Sequence, residues 1–406
     1  MKKKSERITL IFISLSFLIF PFLTVEAKQK SRPFEVKNGD RVVFLGNSLF
    51  ENEQQYGFVE LLLTSRWPDR NITFRNLGWS GDTVFGDARS YYTSPPSAYE
   101  LMLDQLKKAK PTVVFIAYGA IEALEGEKGI SRFSDGLNQL LDKIGELNAA
   151  AILLSPIPKL AAGTPEELIN HNRDLENYAT IIAKTAWERQ AVFVDLYRPL
   201  KALGAGISDN GFHLNKMGYY HLATILETEL GLPENRWSVE IDLDRNALDA
   251  TTAAKLIQID PKKKHLTFTV EEKYLPLPLD EEGAAAGLER ILKIQGLGKG
   301  YFVLETDGRQ VASASAKEWA NGVNIRQGPL FEQARELQTW INRKDGVFFR
   351  QYRPQNRTYI VGFRSYEQGR HLKDLEDMDI ILAWLDGQIN SSKKPKASTY
   401  ELKPIR

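Results

Sequence analysis

Val42-Val43-Phe44-Leu45-Gly46-Asn47-Ser48-Leu49-Phe50 joins an apolar run to a short polar turn. Four consecutive apolar residues read as a strand covered on both faces. Gly46 and Asn47 then read as a turn in which the glycine lets the backbone bend. That leaves Ser48 at the strand's carboxyl end, the edge where open α/β sheets bind ligands. A strand ending in a serine-bearing turn is one way to present a nucleophile. The same residues also fit an ordinary loop, so the reading depends on what else the chain brings to that edge.

Working outward, strands are expected at 41–45, 72–74, 112–117, 150–155 and 191–195. Helical spacing places Phe133, Leu137, Leu140, Leu141, Ile144 and Leu147 on one face of a helix over 131–147. Thr164-Pro165-Glu166-Glu167 opens a second helix as N-cap, first-turn proline and capping-box glutamate. Residues 215–230 form a third. Strand and helix in alternation predict a three-layer α/β/α sandwich with a parallel sheet over 38–231.

After Leu232-Pro233-Glu234-Asn235 the pattern changes to short alternating strands at 265–270, 292–294, 300–305 and 310–314. Thr306-Asp307-Gly308 joins the last two as a β-hairpin. Helices are expected over 329–342 and 372–389. The whole reads as a smaller β-rich module with helices over 236–390, then a flexible tail over 391–406.

Composition narrows the chemistry. A net charge of +1 over 406 residues offers no field for nucleic acid. The absence of cysteine excludes disulfides, thiol catalysis and cysteine metal sites. No two of the five histidines have the spacing of a helical zinc motif. Lys2, Lys3, Lys4 and Arg7 precede the mostly apolar run 8–20, followed by Pro21 and Val25-Glu26-Ala27. That pattern predicts a signal peptide over 1–27, cleaved after Ala27, and a periplasmic or secreted chain. The other reading is an uncleaved anchor, although Pro21 interrupts a span close to the minimum length. No second apolar segment is long enough to span a bilayer, so no stable membrane span is expected after cleavage.

The partner for Ser48 comes 165 residues later, in Ile207-Ser208-Asp209-Asn210-Gly211-Phe212-His213. A serine nucleophile needs a base that titrates near neutrality, which histidine supplies, and an acid that orients it. Asp209 and His213 lie close enough for one loop to deliver both. Asn76-Leu77-Gly78-Trp79-Ser80-Gly81-Asp82-Thr83 follows the second strand, and its glycines allow backbone N–H groups to converge on an oxyanion. Tyr118-Gly119-Ala120-Ile121-Glu122 ends the third strand. Each segment alone also reads as a turn or cap; together, in this order, they share one sheet edge.

Taken together these residues resemble the SGNH (GDSL) hydrolase superfamily over about 38–231. The resemblance implies a flavodoxin-like topology and an esterase that needs no cofactor and no metal. Gly46-Asn47-Ser48 matches the nucleophile block, with Asn47 where the family has aspartate. The resemblance makes Gly81 the oxyanion-hole glycine beside the Ser48 amide, with Gly78 as the alternative, and makes His213 the base. The family aspartate lies three residues before the histidine; here Asn210 stands at that offset and Asp209 one residue earlier. Ile121 stands where the family has an asparagine donor. Residues 348–363, continued by Glu367-Gln368-Gly369, look like the accessory region of exported bacterial GDSL-type proteins. Arg350, Tyr352, Arg353 and Arg357 within or beside it suit either an anionic substrate or ion pairing and stacking between the two parts of the chain.

The expected function is an exported serine esterase with Ser48, His213 and Asp209 as catalytic residues, acting on a small-molecule or polysaccharide ester. The alternative is a catalytically degenerate scaffold that binds carbohydrate or an envelope component.

Overall fold

A computed structural model of the protein describes residues 34–89, 96–233, 235–260, 262, 264–278, 290–353 and 372–405. The expected signal peptide lies outside the described residues. Among the described residues, no helix is long and apolar enough to cross a membrane.

Five parallel strands, β1 (Arg41–Gly46), β2 (Thr73–Asn76), β3 (Val113–Ala117), β4 (Ala150–Leu154) and β5 (Val192–Val194), pair in the order β2-β1-β3-β4-β5. Their apolar runs arise because both faces are covered. Val42, Phe44, Val113 and Phe115 pack into one core with helices α1 (Ser48–Tyr56), α2 (Phe58–Arg66) and α7 (Lys216–Glu229). Val43, Leu45, Val114 and Ile116 pack into the other with α3 (Ala98–Ala109), α4 (Ile130–Glu146) and α5 (Pro165–Glu188). A short helix α6 (Tyr197–Leu203) follows β5. The Thr164 capping box forms as expected, with Glu167 N–H on the Thr164 hydroxyl. In this strand order the winding reverses between β1 and β3, which opens a crevice at their carboxyl ends.

Nine further strands build two antiparallel or mixed sheets. The first, in the order β13-β10-β6-β7, contains β6 (Trp237–Asp242), β7 (Ala247–Ala250), β10 (Arg290–Gln295) and β13 (Val323–Asn324). The second, β12-β11-β14-β9-β8, contains β8 (Ala253–Asp260), β9 (His265–Glu271), β11 (Tyr301–Thr306), β12 (Arg309–Ser315) and β14 (Ser398–Pro404). One apolar core joins them, including Val239, Ile241, Phe268, Leu292, Leu304 and Leu402, with Trp319 of α8 (Ala316–Asn321). The β11–β12 hairpin turns on Asp307 and Gly308, both at positive φ, as a two-residue primed turn requires.

Two expectations are corrected here. Residues 391–406 are not a tail: α10 (Leu372–Ser392) runs into them, and β14 lies between β9 and β11, hydrogen-bonded on both sides. Ser398, Tyr400 and Leu402 face inward while Thr399, Glu401 and Lys403 face outward. The lysine and proline content of the segment conceals that two-residue period.

Nor are 236–390 a self-contained module. Helices α9 (Pro329–Tyr352) and α10 leave the β-rich part and pack on the parallel sheet's layers. Leu330, Ala334, Leu337 and Ile341 join one core; Phe348, Tyr352 and Leu382 join the other. The helix pair thereby covers the β2 edge, which would otherwise expose unpaired backbone groups. Lys344 donates to the Phe74 carbonyl at 3.1 Å and to Glu60 at 2.6 Å, and Arg75 of β2 pairs with Asp386 at 2.8 Å. Lys344 and Glu60 are almost completely buried. Burial raises the Glu60 carboxyl, and the Lys344 ammonium opposes that rise. Lys344→Ala would strand Glu60 and Asp345 without their cation. Loss of about 3–5 kcal/mol is expected at neutral pH, checked by urea unfolding against wild type. A loss under about 1 kcal/mol would show that the cluster does not hold the helix pair.

Candidate active site

Ser48 is the first residue of α1, directly behind β1 at the winding reversal. Asn47 makes this junction: its N–H donates to the Ala117 carbonyl at 3.4 Å, and its Oδ1 accepts the Leu49 N–H at 3.1 Å. Asparagine and aspartate cap equally well, so the exchange at position 47 leaves the turn intact. Gly46 serves a different purpose from the one expected. Its φ is not positive; a Cβ there would lie 2.6 Å from the Ala117 carbonyl oxygen, so glycine lets β1 and β3 close together. Ser48 is half-buried, and its backbone N–H belongs to the first turn of α1, where helix amides lack intrahelical partners.

His213 lies in the loop before α7. Ser208 Oγ donates to the His213 carbonyl at 2.6 Å and accepts the Gly211 N–H at 2.9 Å. Asn210 Oδ1 accepts the N–H groups of Phe212 at 3.0 Å and His213 at 2.8 Å. Those two donors fix the amide's orientation, so Nδ2 faces His213 Nδ1 at 3.3 Å and can only donate. In this loop a neutral His213 therefore accepts at Nδ1 and carries its proton on Nε2. The orienting role expected of Asp209 is not what the geometry shows. Asp209 is exposed, and among the described residues no hydrogen bond joins it to His213. The loop commits Asn210, three residues before the histidine, to both backbone and ring. The charge of Asp209 is felt at Tyr56 instead, whose hydroxyl is raised first by burial and then by that carboxylate.

Ser48 and His213 line the same cavity, of about 150 Å³. Ile121, Leu124, Ile157, Leu175 and Phe212 make much of its wall apolar, and His171 and Lys159 also reach it. Lys159 stands 4.6 Å from the Phe212 ring centre. Burial lowers the His171 pKa, and Lys159 adds to the effect. These two residues were not picked out from sequence; neither lies in a motif, and helix α5 and the 155–160 loop bring them in. Ile121 contributes a hydrocarbon side chain, not a hydrogen-bond donor, to the cavity that Ser48 lines. Its neighbour Glu122 is buried and accepts N–H groups from Gly119 at 2.8 Å and Val84 at 2.9 Å, tying the loops after β3 and β2 together. Burial raises this carboxyl, and its backbone hydrogen bonds oppose the rise.

Gly81 is exposed at φ +79° in the turn closed by Asp82 N–H on the Trp79 carbonyl at 3.0 Å. It is not among the residues lining the Ser48–His213 cavity. The loop nonetheless adjoins the nucleophile turn, because Trp79 N–H donates to the Gly46 carbonyl at 2.9 Å. Gly78 is a spacer: a Cβ there would lie 2.3 Å from the Glu51 nitrogen of α1. Asp82 is buried, pairs with Arg89 at 2.8 Å and accepts the Tyr118 hydroxyl at 2.9 Å. Of the arginines noted in the C-terminal half, Arg353 pairs with Glu51 at 2.9 Å and stacks 4.2 Å from the Trp79 ring centre. Arg350 stays on the surface, donating weakly to the Gly346 carbonyl. Arg357 lies outside the described residues.

A serine at the switch point of the parallel sheet thus shares a cavity with a histidine from the loop before the last helix of the α/β layers. Residues 44–220 match the GDSL-like lipase/acylhydrolase family, so this part of the chain carries an SGNH/GDSL domain. That match supports carboxylic ester hydrolysis as the general chemistry. Among solved structures the chain is similar to BT4096, described as a gut microbial diltiazem-metabolizing enzyme. The match has 17% identity and a TM-score of 0.69, over 91% of this chain and 99% of that one. The shared fold therefore extends through the C-terminal half. The acetylxylan esterase Axe2 from Geobacillus stearothermophilus matches with 18% identity and a TM-score of 0.39, over 49% of this chain and 98% of its own. The acetyl xylan esterase AlAXEase matches with 16% identity and a TM-score of 0.37, over 46% and 98%. No curated protein matches the sequence.

Proposed function

We propose that this protein is a slow serine esterase that cleaves small carboxylic esters through an acyl-enzyme on Ser48. The observation that supports it is the joint placement of Ser48 and His213 on one cavity at the β1/β3 crevice. Ser48 Oγ attacks the ester carbonyl and its proton passes to His213. The tetrahedral intermediate expels the alcohol, which takes that proton. Water, deprotonated by His213, then hydrolyses the acyl-serine. The Ser48 and Gly81 amides are the proposed oxyanion donors.

Two features set the rate and the substrate. Accepting the serine proton at Nε2 requires His213 to carry its own proton on Nδ1, which the Asn210 amide opposes. Ile121 leaves the oxyanion one donor short, and each such donor is worth about 10²–10³ in rate. The volume of about 150 Å³ and the hydrocarbon wall suit a short acyl or aryl group, since an apolar cavity near that size accommodates a benzene molecule. A sugar hydroxyl is the proposed leaving group.

Ile121 and Asn210 also favour a second reading, a binding protein on a catalytically degenerate scaffold. A fluorophosphonate probe separates the two. Covalent labelling mapped by mass spectrometry to Ser48 is expected for the esterase; an unlabelled, folded protein would favour the scaffold.

A further inference from the structure

The loop over 77–82, which the proposed mechanism uses for its Gly81 donor, is held from the C-terminal half of the chain. Tyr352, the last residue of α9, is buried and donates its hydroxyl to the Gly78 carbonyl at 2.6 Å. Its hydroxyl also accepts from Gln54 at 3.3 Å, and its own carbonyl accepts from Gln105 at 2.8 Å. Arg353 donates to Glu51 at 2.9 Å, and the same Glu51 oxygen accepts the Ser80 N–H at 2.6 Å. Trp79, between these two anchored residues, meets Arg353 at 4.2 Å and Arg89 at 5.2 Å from its ring centre. Arg89 clips both ends of the loop, donating to the Leu77 carbonyl and to Asp82, each at 2.8 Å.

Covering the Gly78 loop would need only apolar side chains. Here Tyr352 grips the Gly78 carbonyl directly, and Arg353 secures the Glu51 carboxylate that holds the Ser80 amide, immediately before Gly81. Oxyanion donors must sit within about half an ångström of their working position. We infer that Tyr352 and Arg353 are positioning residues for the oxyanion loop, and that α9 is thereby a working part of the esterase site. This inference rests on the esterase reading and on Gly81 as donor.

The test uses the full chain carrying Tyr352→Phe, which keeps the ring and removes the bond to Gly78, and Arg353→Met, which keeps an unbranched stem on Trp79 and releases Glu51. Each variant is compared with wild type for kcat and KM on p-nitrophenyl acetate, for the rate of fluorophosphonate labelling, and for Tm. A misplaced donor lowers kcat, by roughly tenfold here, with KM within about twofold and labelling slowed in parallel. Unchanged kcat in folded variants overturns the inference, as does a fall in kcat that only tracks the unfolded fraction. If Tyr352→Phe does not fold, Arg353→Met decides. A wild type that neither labels nor turns over overturns the esterase reading itself, and this inference with it.

Discussion

Ser48→Ala is expected to abolish hydrolysis of a short p-nitrophenyl ester, by about 10³-fold or more, while the protein melts as wild type does. The size follows from chemistry. Without the hydroxyl no acyl-enzyme forms, and only water held near the remaining donors can react. The unchanged melting follows from local structure. Alanine suits the first position of α1, and the Asn47 cap that starts the helix does not involve the serine side chain. Activity measured as initial rates on purified protein, beside a melting curve, checks both halves. Equal turnover by the variant would remove Ser48 from the mechanism.

Asn210→Asp is expected to raise kcat/KM by roughly 10²-fold, a gain in place of the usual loss. A carboxylate at this position can only accept. It would keep the backbone N–H bonds of Phe212 and His213 and would also accept the ring N–H at Nδ1, leaving Nε2 free to take the serine proton. The reverse exchange in a serine protease costs about 10⁴ in kcat through the wrong tautomer. The smaller figure here allows for the missing donor at Ile121, which the substitution does not restore. Asp209→Asn is the control and should change the rate less than about threefold, because Asp209 does not reach the ring. A flat response to Asn210→Asp together with a large loss in Asp209→Asn would reverse the assignment and return the orienting role to Asp209.

Much of the α/β half is legible in the chain. All five parallel strands were expected close to their observed bounds, because strands covered on both faces need unbroken apolar runs. Helices α4, α5 and α7 were expected from helical periodicity and from the Thr164 capping box. The β11–β12 hairpin was legible from Asp307-Gly308. Helix α9 runs ten residues beyond the expected end at 342, to Tyr352. The apolar period breaks at Lys344 and Asp345, which occupy buried positions that pattern reading assigns to solvent, before Phe348 and Tyr352 resume it. Strand β14 was missed for a similar reason. Its stability comes from ladders on both sides, with partners more than ninety residues away.

The sequence by itself determined which chemistry could reach one edge of the sheet: a serine behind β1, a histidine before α7, glycines behind β2, and an isoleucine behind β3. Residue order and strand periodicity are local properties, and the winding rule of parallel sheets gathers such residues without further information. Only the tertiary structure decided who touches whom. It put Asn210 rather than Asp209 on the imidazole, made Gly46 a matter of close strand approach, and set Tyr352 and Arg353 of the C-terminal half around the Gly78 loop. Each depends on where a side chain's hydrogen bonds go once backbone groups distant in sequence compete for them, and that competition is settled only in the folded chain.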